Sequence, residues 1–192
     1  MNRCLKKVIQ VGLLLLCSVS AWAQSNTPAP SVGLKDIKGH RFSLNAYKGK
    51  VVLVNFWATW CPPCRKEISD LIRMQREYRD SGLRIIGITY PPQTSAEVRR
   101  FAKRLRINYP VVVGTKAIKN RFTSSETLPV TVVIDREGRV RGVIEGIMYP
   151  DEFDQTVKPL LSDVPSRQKS EDTTQRSRRA VDKNPRPHLA MP

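Results

Sequence analysis

The chain has 192 residues, 40% of them hydrophobic, and a formal net charge of +16 at pH 7. That length suits one domain with terminal segments better than two domains, and the apolar share is enough for one ordinary core. Apolar residues almost vanish after Ser162, where Arg, Ser, Lys, Asp, Thr and Pro dominate; the positive charge is read as solvated faces and attraction to an anionic envelope surface rather than as nucleic-acid binding.

At the start of the chain, Arg3, Lys6 and Lys7 precede an apolar run, Val8 to Val19, interrupted by Gln10, Gly12, Cys17 and Ser18. Ala21-Trp22-Ala23 then supplies a small-x-small site. This is the pattern of an export signal (1–23) cleaved after Ala23. The apolar run falls short of the roughly 20 residues that a membrane span needs, which disfavours the alternative of an uncleaved anchor. Lipidation at Cys17 is disfavoured by bulky Leu16, where a small side chain is wanted. Export places the protein in the periplasm or another extracytoplasmic space, an oxidising compartment where nucleic acid is not an expected partner. Cys4 and Cys17 leave with the signal. Cys61 and Cys64 remain, able to pair with each other or with a partner. With only His40 and His188 to add, a structural zinc site lacks ligands, and no metal or cofactor is expected.

Gln24 to Ser31 reads as a polar, Pro-containing linker (24–31). The domain proper is expected over 32–162. Gly33 to Leu44 predicts two short strands around a Lys38-Gly39 turn, and Asn45 to Lys50 a loop. Val51 to Trp57 is a near-continuous apolar strand of the kind covered on both faces of a sheet. Ile68, Leu71, Ile72, Gln75 and Tyr78 recur at helical spacing up to Ser81-Gly82. Leu83 to Thr89 is the next strand. Thr94-Ser95-Ala96-Glu97 has capping-box form and opens a helix lined by Val98, Phe101, Ala102 and Leu105. A strand over 109–113, a short helix over 118–122 and a strand over 130–135 follow. Arg136-Glu137-Gly138 turns into a returning strand over 139–147. Pro150-Asp151 opens a last helix, with Pro159 disturbing its final turn. The alternation predicts an α/β sandwich with a mixed central sheet flanked by helices. The remaining residues (163–192) read as a disordered basic tail.

The chemistry concentrates in Trp60-Cys61-Pro62-Pro63-Cys64, between the buried strand and the first long helix. There the Cys61 sulfur lies at a helix N-terminus, where N–H groups and the helix dipole favour the attacking thiolate. Cys64, three residues on, resolves the mixed disulfide, so the pair cycles between dithiol and Cys61–Cys64 disulfide. Pro62 and Pro63 suit a first helical turn but remove two possible donors to that sulfur. Cys61 is therefore expected to be less acidic than in strong oxidants, and the pair to act as a reductant. Trp60 is expected to contribute to a flat docking surface beside the dithiol, with Trp57 and Phe56 in the core.

The stretches Gly49 to Glu67 and Leu128 to Gly138, with the helix and strand inserted between Ser95 and Val113, resemble the thioredoxin superfamily, and more closely its TlpA/ResA-like exported branch. The resemblance covers about Val32 to Ser162. It implies a thioredoxin-like sandwich with the TlpA/ResA-type insertion and a thiol–disulfide oxidoreductase activity without cofactor. It implies that Pro129 is a cis-proline facing the dithiol, with the Leu128 backbone open to pair with an extended client. It further implies that Glu67 is a partly buried carboxylate able to accept the Cys64 proton. From the residues alone, Glu67 reads equally well as a solvated acid among Arg65, Lys66 and Asp70. Plain thioredoxins carry an Asp at the position of Asn55, and Asn cannot titrate. The implied partners are disulfide-containing envelope proteins, with apocytochrome c haem-binding cysteines in cytochrome c maturation or a copper-assembly protein as examples. A membrane thiol transporter is the implied electron donor. The alternatives are a Cu(I)-binding assembly module using both thiolates and a thiol peroxidase.

An anionic envelope surface is the expected partner of the basic tail. Truncation after Ser162 should leave folding and redox activity intact and weaken salt-sensitive binding to anionic vesicles. Unfolding on truncation, read by circular dichroism, would refute that boundary.

Overall fold

The computed structural model describes residues 27–162. The export signal, the first residues of the linker and the basic tail therefore lie outside the described residues.

Strand β3 (Val51–Trp57) is buried along its whole length. It pairs in parallel with β4 (Leu83–Thr89) and antiparallel with β6 (Val130–Ile134). β5 (Val111–Val113) adds in parallel to β4, and β7 (Val140–Glu145) runs antiparallel to β6. The result is a mixed five-stranded sheet in the order β5-β4-β3-β6-β7. A separate two-stranded ribbon pairs β1 (Gly33–Lys35) with β2 (Arg41–Ser43). Five helices complete the fold: α1 (Pro62–Tyr78), α2 (Ser95–Arg104), α3 (Lys116–Asn120), α4 (Pro150–Thr156) and α5 (Lys158–Ser162). Among the described residues no helix is long and apolar enough to cross a membrane.

The two-residue period of β3 divides the core. Val51, Leu53 and Trp57 pack with α1, α2, α4 and α5 on one side of the sheet. Val52, Val54 and Phe56 pack on the other with Leu34, Leu44 and Phe122. A strand that feeds two cores needs apolar side chains on both faces, which is why its sequence shows no alternation. The buried stripe of α1 runs through Cys64, Ile68, Leu71 and Gln75 at helical spacing. Glu67 lies on that stripe. Gly87 of β4, opposite Asn55, makes room for Trp57, because a Cβ there would stand 2.8 Å from the indole Nε1.

Several sequence expectations shift. The start of β5 moves to Val111. α3 begins at Lys116, because the Thr115 hydroxyl accepts from the Ile118 amide at 3.2 Å and caps it early. Leu44–Tyr47 is a 3-10 turn, in place of the expected strand end at Leu44 and loop from Asn45. The final helix divides at Val157 into α4 and α5. The expected linker already belongs to the fold at its end. The Ala29 amide donates to the Gly138 carbonyl at 2.8 Å and the Val140 amide to the Thr27 carbonyl at 2.9 Å. Backbone groups at the outer edge of β7 need partners, and Thr27 to Ala29 supply them.

Arg136, buried in the turn after β6, has no acidic partner in the described structure. Its guanidinium donates to the carbonyls of Gly49 (2.8 Å), Ser81 (3.0 Å), Leu161 (2.9 Å) and Leu160 (3.3 Å). It thereby ties the approach to β3, the α1–β4 turn and the end of α5 to one point. Arg136→Ala should cost about 2–4 kcal/mol by stranding these carbonyls. Urea unfolding measures this, and the redox midpoint of the dithiol should not move.

Candidate active site

β3 ends at Trp57, and Ala58 to Trp60 bring the chain around to α1. Cys61 is the N-cap of that helix, with extended backbone, and its Sγ accepts from the Cys64 amide at 3.2 Å. Pro62 and Pro63 hold the first two helical positions. They offer no N–H, so Cys64 is the only one of these three positions that supplies the sulfur with a backbone donor. Cys61 and Cys64 form a disulfide. Cys61 is 4% exposed and Cys64 is fully enclosed, which orders the pair into an outer and an inner sulfur. Trp60 beside them is 53% exposed.

Beneath the helix lies Glu67, 1% exposed. Its Oε2 accepts from Asn55 Nδ2 at 2.9 Å and its Oε1 from the Met148 amide at 2.8 Å. The same Asn55 nitrogen donates to Thr131 Oγ1 at 2.9 Å, across the β3–β6 pair in which Asn55 and Thr131 stand opposite. Burial pushes the Glu67 pKa up to about 7, against the two hydrogen bonds, which favour the charged form. The group thus titrates near neutrality, one helical turn after Cys64 on the buried stripe of α1. Of the two readings that the sequence leaves open, the geometry selects the buried one.

The Leu128–Pro129 bond is cis, as the resemblance implies. Pro129 is buried, Leu128 half-buried, and the Pro129 carbonyl accepts from the Gly146 amide at 2.8 Å. Pro62 and Pro63 are exposed. Trp57 and Phe56 are core residues. His40 is tied to Asp36, Nδ1 to Oδ2 at 3.1 Å. Sequence reasoning missed three contributors: Thr131, the Met148 amide and Tyr149, an aromatic 52% exposed directly after the residue that binds Glu67. Thr131 is legible afterwards as a polar residue within a buried strand. A backbone amide leaves no sequence signal. Among the described residues, no group of three or more His, Cys, Asp and Glu side chains gathers as a metal site.

The chain belongs to the AhpC/TSA family, whose pattern it matches over residues 26–143. It is 34% identical to the thioredoxin-like protein YneN of Bacillus subtilis over 134 residues, 69% of this chain and 78% of that one. It is 33% identical to the thiol-disulfide oxidoreductase ResA of Geobacillus kaustophilus, over 68% of this chain and 76% of that protein. Among solved structures, a thioredoxin-family thiol:disulfide interchange protein from Chlorobium tepidum superposes with a TM-score of 0.65 at 38% identity. That match covers 71% of this chain and 97% of the other. The pneumococcal exposed lipoprotein thioredoxin of Streptococcus pneumoniae matches at 28% identity and a TM-score of 0.61, over 68% of this chain and 100% of that one. The fold is thioredoxin-like and the protein is a thiol–disulfide oxidoreductase.

A carboxyl whose pKa rises on folding binds its proton more tightly in the native state, so it destabilises the fold as pH climbs through the interval between its two pKa values. For Glu67 that interval runs from 4.5 to about 7. Glu67→Gln should therefore gain stability relative to wild type across it, by on the order of 3 kcal/mol, and the difference should be flat on either side. Denaturant titrations at a series of pH values measure the change. A pH-independent difference would place the ionised carboxylate in a solvated setting.

Proposed function

We propose that the protein is exported and reduces disulfides of envelope proteins through Cys61 and Cys64, with Glu67 as the proton acceptor for the inner thiol. The observation that carries this reading is the outer and inner sulfur pair at the head of α1, above a buried carboxyl that titrates near neutrality. The cysteine roles, the carboxyl's role and the client class belong to the proposal.

In the proposed cycle the Cys61 thiolate attacks one sulfur of a client disulfide and displaces the other as a thiolate, which takes up a proton. The mixed disulfide is resolved when Cys64, having passed its proton to Glu67, attacks Cys61 Sγ. The client departs with two thiols and the enzyme holds its own disulfide. Two electrons and two protons from a dithiol donor, in our reading a membrane thiol transporter, restore the reduced state. Pro62 and Pro63 withhold two amide donors from the Cys61 sulfur, which leaves the thiolate less stabilised and the pair more reducing. The exposed rings of Trp60 and Tyr149 and the Leu128 backbone offer the surface on which an extended client lies. Export rests on the basic start, apolar run and small-x-small site of residues 1–23, and agrees with the exposed location named for the pneumococcal relative. Maturation of cytochrome c, through reduction of apocytochrome haem-binding cysteines, is one client role consistent with this chemistry.

Cys64→Ser should accumulate clients as mixed disulfides on Cys61, and Cys61→Ser should capture none. Non-reducing electrophoresis and mass spectrometry read both. The wild-type midpoint in glutathione or dithiothreitol buffers should fall nearer about −270 mV than the about −120 mV of strong oxidants. A midpoint at the oxidising end refutes the reductant assignment. Tight Cu(I) binding without reduction of insulin would favour a metal-binding module, and rapid peroxide consumption a peroxidase.

A further inference from the structure

Helix α2, in the segment inserted between β4 and β6, carries exposed cations along its length, two of them in its last turn. Arg100 and Arg104 are four residues apart on one face, and like charges at that spacing oppose helix formation. Arg65 stands in the first turn of α1, where a cation opposes the helix dipole. These three arginines, from two helices, line one cleft of about 260 Å³ together with Thr59, Phe101 and Glu97. Thr59 and Arg65 flank the dithiol in the chain, so the cleft lies near the head of α1.

No arginine of this group forms a salt bridge with a described residue. Two other arginines do find carboxylates. Arg73 pairs with Asp70 at 3.1 Å and reaches Glu77 at 3.8 Å, and Arg141 lies 3.7 Å from Asp135. The single acid of the cleft, Glu97, is committed to its capping box. Its Oε2 accepts from the Thr94 amide at 2.7 Å and the Thr94 hydroxyl at 2.8 Å. Arg104 is held in place over the Phe101 ring at 5.1 Å. Three exposed guanidinium groups, one of them pre-positioned, therefore face a cleft whose single carboxylate, Glu97, offsets only part of their charge, at Arg100. The opposite flank of α2 continues the same sign with Arg99, Lys103 and Arg106 beside a second, larger cleft.

We infer that this cleft docks acidic stretches of polypeptide next to the client disulfide, making the protein selective for clients whose reducible cysteines are flanked by Asp or Glu. This inference rests on the proposed reductase activity and names its substrate class. Guanidinium groups suit it because they bind carboxylates in paired hydrogen bonds. Complementary charge of this kind acts chiefly on encounter and on choice of partner.

The test uses two disulfide-containing peptides of the same length, one with Asp and Glu beside its cysteines and one with Asn and Gln there. kcat/KM for wild type should favour the acidic peptide by about fivefold or more at low ionic strength, with the ratio shrinking towards one as salt rises. Arg100→Gln/Arg104→Gln should collapse the ratio, and Arg100→Glu/Arg104→Glu should invert it. Equal reduction of both peptides by wild type, or a ratio unchanged in both variants, overturns the inference and leaves the reductase reading standing. Reduction of neither peptide sinks the reductase reading itself. If the Gln variant loses binding to phosphatidylglycerol vesicles while its peptide ratio is unchanged, the charges serve a membrane surface and the inference is likewise overturned. Circular dichroism confirms that each variant is folded before comparison.

Discussion

Cys61 stands between the end of β3 and the first turn of α1, its carbonyl accepting the first helix bond while its amide and side chain lie outside the helix. A chain at that point must cap the helix with whatever atom is to hand, and here the atom is a sulfur that accepts from the Cys64 amide. The placement puts the sulfur in the field of the helix N-terminus and brings the second cysteine, one helical turn on, into bonding distance. Everything chemical about the protein depends on that junction being rigid. Its rigidity comes from β3, which is central in the sheet and buried on both faces.

The same strand supports the site from below. Its side chains alternate, so Asn55 points to the face that α1 covers, along with Leu53 and Trp57. A carboxyl on the buried stripe of α1 meets that amide, and the Met148 amide closes the other side. Burial of Glu67 is costly for its charged form, and this cost is what brings the group to titrate near neutrality rather than as an ordinary acid. A surface glutamate with the same sequence neighbours would hold no proton at pH 7.

Stability and function are handled by different parts of the molecule. Arg136 donates to four carbonyls at the end of the sheet away from the dithiol's helix start, binding β3, the α1–β4 turn and α5 together. The arginines of the α2 cleft make no comparable internal bonds. A buried cation satisfied by carbonyls is structural, whereas exposed cations without salt bridges are available to a partner.

Much of this was legible in the amino-acid order. The unbroken apolar run of β3, the Cys-Pro-Pro-Cys at a helix start, the Thr94–Glu97 capping box and the Leu128-Pro129 entry to β6 are local signals, and each belongs to a few adjacent residues whose own propensities set it. The pairing of Thr27 to Ala29 with the β7 edge and the state of Glu67 were not, because each depends on residues distant in the chain; the early start of α3 was overlooked although its cap, Thr115, is local. Glu67 shows the reason most plainly. Its neighbours Arg65, Lys66 and Asp70 describe a solvated helix face as well as a buried one. Only packing against Asn55 of β3 and the Met148 backbone removes water from the carboxyl. Sequence alone determined that two thiols would sit at the head of a helix behind a buried strand. Tertiary structure decided that Glu67 is buried and how tightly it keeps a proton, because desolvation is a property of everything that surrounds a group and not of the residues beside it in the chain.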